Sequence, residues 1–130
     1  MSKVVFVSNY FNHHQAPFAR AMDQLTEHQF TFVETIPMDA ERKQMGWGQE
    51  HKPGYVFQAY DREIQTKAKE MILEADAVIW GSCPFSLVKS RLKAKKLTFA
   101  YSERLFKEGK SGFAHWGRVM KYKLNLGKYQ

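Results

Sequence analysis

Two adjacent histidines, His13 and His14, lie between a short apolar run and Pro17, where a plain connection would carry Gly, Asp or Ser. Imidazole titrates near neutral pH, so either ring could act as a general base or hydrogen-bond a substrate hydroxyl. Either histidine could equally cap the helix that Pro17 is expected to open. The residue types leave both interpretations open.

A second segment with chemical potential is Gly81–Pro84, which follows another apolar run. Ser82 and the backbone amides after it could approach an anion at a helix N-terminus, although Pro84 removes one of those donors. Cys83 could serve as a thiol nucleophile, but a small buried residue in a tight turn is the commoner role for such a cysteine.

A third segment is Tyr101–Arg104, which ends the last apolar run. Glu103 could bind a substrate hydroxyl, and the planar fork of Arg104 could bind a phosphate. The alternative is an ion pair with a neighbouring segment.

The elements that must position these residues follow from the hydrophobic spacing. The predicted strands are Lys3–Ser8, Gln29–Glu34, Tyr55–Ala59, Ala77–Gly81 and Leu97–Ser102, and the predicted helices are Pro17–Leu25, Arg62–Ala75, Phe85–Lys95 and Gly112–Lys128. The stretch Thr35–Gly54 is either a functional loop or partly helical around Asp39–Gln44. In Phe85–Lys95, an apolar stripe of Phe85, Val88 and Leu92 leaves Lys89, Arg91, Lys93 and Lys95 outside it.

Strands that alternate with helices predict an α/β fold with a parallel sheet. At 130 residues the chain has the length of one domain. We therefore expect a single Rossmann-like three-layer α/β/α domain over residues 1–130, with a mostly parallel sheet of about five strands. In such a sheet the carboxyl ends of the strands meet at one edge, where ligands bind. The three segments with chemical potential would then converge there.

Composition narrows the function classes. Residues 85–130 carry twelve Lys and Arg against two Asp and Glu, whereas residues 1–84 carry eight against eleven. That asymmetry predicts a partner of opposite charge near the C-terminal part, or a solvated basic face. The single cysteine, Cys83, rules out an internal disulfide and favours a reducing cytoplasm. No apolar run has the length of a membrane span.

Several motifs are absent from the sequence. It has no G-x-G-x-x-G after the first strand, no G-x-x-x-x-G-K-[ST] and no G-x-S-x-G. These absences disfavour a dinucleotide dehydrogenase, a P-loop NTPase and a hydrolase with a nucleophile elbow. Metal-ligand spacing is also missing, so we expect no metal.

Three stretches together resemble the N-terminal domain of bacterial GT-B type glycosyltransferases, of the family 1/family 4-like group associated with polysaccharide biosynthesis. They are V-F-V-S-N-Y-F-N-H-H-Q-A-P-F (Val5–Phe18), W-G-S-C-P (Trp80–Pro84) and L-T-F-A-Y-S-E-R-L-F-K (Leu97–Lys107). The resemblance implies a domain that faces a cleft and holds the acceptor, while a second, C-terminal Rossmann-like domain binds the nucleotide-sugar. No other cofactor is implied.

The resemblance also implies roles for individual residues. His13 and His14 would be the catalytic groups. The substrate-binding residues would be Asn9, Tyr10, Asn12, Gln15, Ser82, Tyr101, Glu103 and Arg104. The acceptor would be a glycan or a lipid-linked sugar. Because no second Rossmann unit or donor-site motif precedes Gln130, we expect the 130-residue chain to be inactive without its partner domain.

An alternative function comes from the charge. A non-enzymatic basic α/β module could bind an anionic membrane surface or nucleic acid, and a basic amphipathic tail suits anionic headgroups. No nucleic-acid motif is present, which disfavours that partner. The expected location is the cytoplasm. A lipid-linked acceptor or an anionic membrane partner would add peripheral contact at the inner face of the cell membrane. The oligomeric state is left open.

Overall fold

A computed structural model describes residues 2–25, 28–46 and 52–101, together with Met120. The predicted tail helix Gly112–Lys128 therefore lies, apart from Met120, outside the described residues. Within the described part, five strands form one sheet: β1 (Ser2–Ser8), β2 (His28–Glu34), β3 (Val56–Gln58), β4 (Ala77–Trp80) and β5 (Thr98–Ala100). Their order is β3-β2-β1-β4-β5, and every pairing is parallel. The α/β, Rossmann-like prediction is confirmed.

Helices lie on both faces of this sheet. The helices in the described residues are α1 (Ala16–Gln24), α2 (Ala40–Gln44), α3 (Arg62–Glu74) and α4 (Lys89–Lys93), with a short 3-10 helix at Phe85–Leu87, and it is α1 and α3 that pack on opposite faces. One apolar cluster joins α1 to the aromatic side chains of β1 and β2, and the other joins α3 and the segment after β4 to the valines of β1, β2 and β4. The sheet is thus the middle of three layers.

Two predicted helix starts follow directly from capping. The Asp61 side chain accepts a hydrogen bond from the Ile64 amide at 2.8 Å, which starts α3. The Asp39 side chain accepts one from the Arg42 amide at 2.8 Å, which starts α2. Of the two alternatives for Thr35–Gly54, the partly helical one is therefore confirmed, with the helix over Ala40–Gln44.

The predicted helix Phe85–Lys95 is wrong in one respect, because it is two short elements rather than one. The 3-10 turn Phe85–Leu87 ends at Val88, whose φ of −107° and ψ of −9° separate it from α4. The expectation for Arg91 is also wrong: this residue is 1% exposed rather than on the solvent side. Its guanidinium donates to four backbone carbonyl groups, which provides the partners that a buried charge requires.

Candidate functional site

The carboxyl ends of β1, β4 and β5 lie at one edge of the sheet, because these strands pair in parallel. β1 lies between β2 and β4, so the chain leaves β1 toward one half of the sheet and later enters the other half at β4. Such a switch point opens a crevice between the loops that follow the two central strands. Here those loops are residues 9–15 and residues 81–84. The candidate site lies between them.

The loop after β1 is held by its own asparagines. The Asn9 carbonyl oxygen accepts hydrogen bonds from the amides of Thr35 and Ile36, at 2.8 and 2.9 Å. The Asn12 side-chain oxygen accepts from the amides of His14 and Gln15, at 2.9 and 3.3 Å. The Asn9 side-chain oxygen accepts from the Tyr10 amide at 2.8 Å, and asparagine side chains often hold turns in this way. The two asparagines thus fix the loop at both ends.

Asn12 also provides the turn into α1. Its carbonyl oxygen accepts from the amides of Gln15 and Ala16 at 3.2 and 3.0 Å. The helix begins at Ala16, one residue earlier than predicted, and its N-cap residue is Gln15, whose side chain makes no capping hydrogen bond. The alternative in which a histidine caps this helix is therefore wrong.

His13 and His14 are both exposed at this edge of the sheet. Their ring centroids are 3.9 Å apart and the ring planes are inclined by 39°. Two imidazoles this close, and open to solvent, can present two nitrogen donors or acceptors to one substrate. Among the described residues of the loops after β1 and β4, this pair is the best suited to acid-base chemistry.

A buried hydroxyl joins the loop after β1 to the loop after β4. Ser8, fully buried at the end of β1, accepts hydrogen bonds from the Gln15 side chain at 3.2 Å and from the Ser82 amide at 3.3 Å. Gly81 leaves room for this contact, because a Cβ on that residue would lie 2.9 Å from Ser8 Oγ. Ser8 and Gly81 thus bring the loops together, a role the sequence did not reveal for either residue.

The Gln15 amide has an unsatisfied end. Its Oε1 is buried and has no hydrogen-bond partner among the described residues. Exchanging the amide oxygen and nitrogen would only move the unsatisfied end, since one end alone faces Ser8. A buried polar atom without a partner is uncommon in native structures. A hydroxyl or amide of a bound molecule could supply what is missing.

Glu34 is a site residue that the sequence reading missed. It ends β2 and is completely buried. Its Oε2 accepts from the Phe11 amide at 3.1 Å, and its Oε1 accepts from Lys52 Nζ and from the Tyr60 hydroxyl. An acidic residue near this position binds the ribose in dinucleotide-binding folds. Here protein groups already engage both oxygens, so Glu34 is not open to a ribose diol.

A signal for Glu34 was present in the sequence. Phe30 and Phe32 alternate along β2 and both pack into the α1-side cluster, so the next residue with the same alternation points the same way. A carboxylate on an inward-facing position indicates a buried interaction rather than a solvated one.

The other predicted substrate-binding residues differ in exposure. Tyr10 is buried, with the guanidinium of Arg42 5.3 Å from its ring centroid. Ser82 is exposed. Tyr101 is half exposed, and its ring packs edge-on against Phe6 with centroids 5.5 Å apart. Glu103 and Arg104 lie outside the described residues.

Cys83 is partly buried beside Trp80. Burial raises the pKa of the Cys83 thiol to about 12, and a hydrogen bond with Trp80 opposes this shift only partly. A thiol with so high a pKa is almost entirely protonated at neutral pH, and it is the thiolate that attacks. The described geometry therefore favours the structural role for Cys83.

The residues described here include no group of three or more His, Cys, Asp or Glu that could hold a metal ion. None of the helices in these ranges has the length and apolar character needed to cross a bilayer. Comparison of the chain with protein-family models, with curated proteins and with solved structures finds no match.

Proposed function

We propose that this chain forms the acceptor side of a glycosyltransferase active site, which receives a sugar from a nucleotide-sugar held by a second Rossmann-like domain. The observation that supports the proposal best is the exposed His13–His14 pair, which follows β1 at the switch point of a parallel sheet. The resemblance of Val5–Phe18, the stretch that contains both histidines, to glycosyltransferase N-terminal domains also supports the proposal.

In this proposal, one imidazole of the pair takes the proton from the acceptor hydroxyl as that oxygen bonds to the anomeric carbon of the sugar. The bond from that carbon to the nucleotide's phosphate breaks, and the nucleoside diphosphate leaves on the second domain. The unsatisfied end of the Gln15 amide and the exposed Ser82 hydroxyl hydrogen-bond the rest of the acceptor. No metal or organic cofactor is required by these steps. The acceptor is a glycan or a lipid-linked sugar.

The test joins the chain to its nucleotide-sugar-binding domain and measures transfer of labelled sugar from a panel of nucleotide-sugars to a polyprenyl-phosphate-linked acceptor. His13 and His14 are replaced by Ala separately and together. The rate of transfer should fall at least about a hundredfold in the double variant and in whichever single variant removes the general base. Lys93→Ala, an exposed change on α4, is the control. Wild-type rates in all three histidine variants would contradict the catalytic assignment.

The basic-module alternative has its own supporting observation. Lys89, Lys93, Lys95 and Lys96 are exposed, and the last two lie just before β5, at the edge of the sheet opposite the histidines. The burial of Arg91 removes one charge from this surface. If the alternative holds, replacing Lys95 and Lys96 by Gln should weaken binding to anionic vesicles or RNA and reduce its salt dependence, while His13→Ala should not.

A further inference from the structure

Glu34 is a completely buried carboxylate, which is unusual for a charged residue. Its side chain has no exposed surface, and it follows Phe30 and Phe32 on the α1 face of β2. Burying a charged group costs free energy unless partners compensate for the lost water. An apolar residue at this position would fill the same space without that cost, so packing alone does not account for a glutamate here.

The two carboxylate oxygens connect different segments. Oε2 accepts a hydrogen bond from the backbone amide of Phe11, which lies two residues before His13. Oε1 accepts hydrogen bonds from Lys52 Nζ and from the Tyr60 hydroxyl. Lys52 Nζ also lies 3.1 Å from the Tyr60 hydroxyl oxygen. Glu34 therefore ties the loop that carries the histidines to the segments on both sides of β3.

The anchor at Phe11 complements the one at Asn12. The Asn12 side chain holds the His14 amide, and Glu34 holds the Phe11 amide, so both anchors bracket His13 in the chain. The bracketed backbone then has little freedom to rotate. A hydrogen bond to an ionised carboxylate is also stronger than one to a neutral acceptor.

The far side of the cluster is open to solvent. The Lys52 side chain is 33% exposed and Tyr60 is 37% exposed, whereas Glu34 is completely covered. Lys52 also lines a groove of about 470 Å³ beside β3, together with Phe57 and Lys67. Substitutions at Lys52 and Tyr60 can thus perturb the buried carboxylate without emptying space in the core.

We propose that Glu34 is the positioning residue for the histidine loop, with Lys52 as its counter-charge and Tyr60 as the group that orients its carboxylate. In the glycosyltransferase reaction, on which this inference rests, Glu34 acts through the Phe11 amide and does not touch substrate. It fixes the imidazoles at the distance from the acceptor hydroxyl that proton transfer requires, since small displacements of a catalytic group are costly.

The first measurement is amide hydrogen exchange of the full chain, resolved for residues 9–15. Tyr60→Phe and Lys52→Gln should each speed exchange of the Phe11 amide about tenfold, and Glu34→Gln should do so at least as strongly. Tyr55→Phe, which removes a hydroxyl from the same region, and Lys67→Gln, on the same groove, are matched controls that should leave it unchanged. If Glu34→Gln fails to fold, the two milder variants decide. Unchanged Phe11 exchange in both would overturn the anchor.

The second measurement separates positioning from a merely structural role. In the enzyme joined to its donor domain, Tyr60→Phe and Lys52→Gln should lower kcat about tenfold and leave KM for the acceptor within about twofold, because the acceptor contacts are intact. Faster exchange at Phe11 with wild-type kcat would show that the anchor does not position the histidines. Absence of any sugar transfer by the wild type would refute the proposed function, while the exchange result would still decide the anchor.

Discussion

Replacing Arg91 by Met should destabilise the fold strongly, although the sequence pattern places this residue among exposed lysines. Arg91 is 1% exposed, and its pKa is lowered by burial, with nearby Asp76 opposing the shift. A guanidinium nevertheless keeps its proton in proteins. Its hydrogen bonds run from Nη1 to the carbonyl oxygens of Ile72 (2.8 Å), Leu73 (3.4 Å) and Ala75 (2.6 Å), from Nη2 to that of Leu97 (2.7 Å), and from Nε to the Thr98 hydroxyl (3.1 Å).

The expected loss follows from the groups that Met leaves without a partner. The hydrogen bonds to the Ile72 and Ala75 carbonyl groups are buried, and an unsatisfied buried acceptor costs about 1–3 kcal/mol. Two of them cost about 2–6 kcal/mol. Met recovers part of this, because it fills similar volume and no charge has to be buried. The free energy of unfolding should therefore fall by about 3 kcal/mol.

Urea denaturation followed by circular dichroism measures this loss. With a slope of about 2 kcal/mol/M, the midpoint should move down by about 1.5 M. Lys93→Met on the same helix is exposed and should change the midpoint little. Arg91→Lys should be nearly as damaging as Met, because one ammonium group cannot reach carbonyl groups at the end of α3 and the start of β5 together. A loss below about 1 kcal/mol in Arg91→Met would refute the reasoning.

Three further predictions concern the residues around the crevice. Gly81→Ala should lower the free energy of unfolding by about 1–3 kcal/mol, because its Cβ would crowd Ser8, whereas Gly54→Ala, with nothing within 4 Å, should be near neutral in the same urea titration. Cys83 should react with iodoacetamide at pH 8 about a thousandfold more slowly in the folded than in the unfolded chain, and since its folded pKa is raised to about 12, stability should fall as pH rises above about 9. Asn12→Ala should cost about 1 kcal/mol, while Asn12→Asp, which keeps an acceptor for the loop amides, should cost much less.

The architecture was predictable because hydrophobic spacing is a local property. Strands β1 and β2 begin one residue earlier than predicted, and α3 ends one residue sooner, at Glu74. Asp61 marked the start of α3 because a cap requires only a side chain and the next turn of backbone. The convergence of the β1 and β4 ends then followed from the parallel pairing.

Long-range polar contacts were not predictable in the same way. Arg91 lies among lysines and looks like a surface residue along the chain. The alternation of β2 indicates that Glu34 faces inward, but nothing local identifies its partners. The buried partners of Arg91 and Glu34 are 16–19 and 23 residues away. A charged residue type gives no indication of whether distant backbone groups need it. Only the fold brings the carbonyl groups of α3 to Arg91 and the Phe11 amide to Glu34. These hydrogen bonds compensate for the burial of the two charged groups, which an apolar core would not do.

Burial and existing hydrogen bonds also separate the residues of the candidate site. Its sequence offers Asn, Gln, His and Tyr side chains that could all bind a ligand, but the structure divides them by what they already contact. Asn12 and Tyr10 are buried, and the Asn12 oxygen is occupied by loop amides. His13 and His14 are exposed, and Gln15 is anchored at one amide end and unsatisfied at the other. The proposed chemistry at this edge therefore rests on the exposed imidazoles and on the buried, unsatisfied end of the Gln15 amide, while Asn12 and Tyr10 hold the loop that carries them.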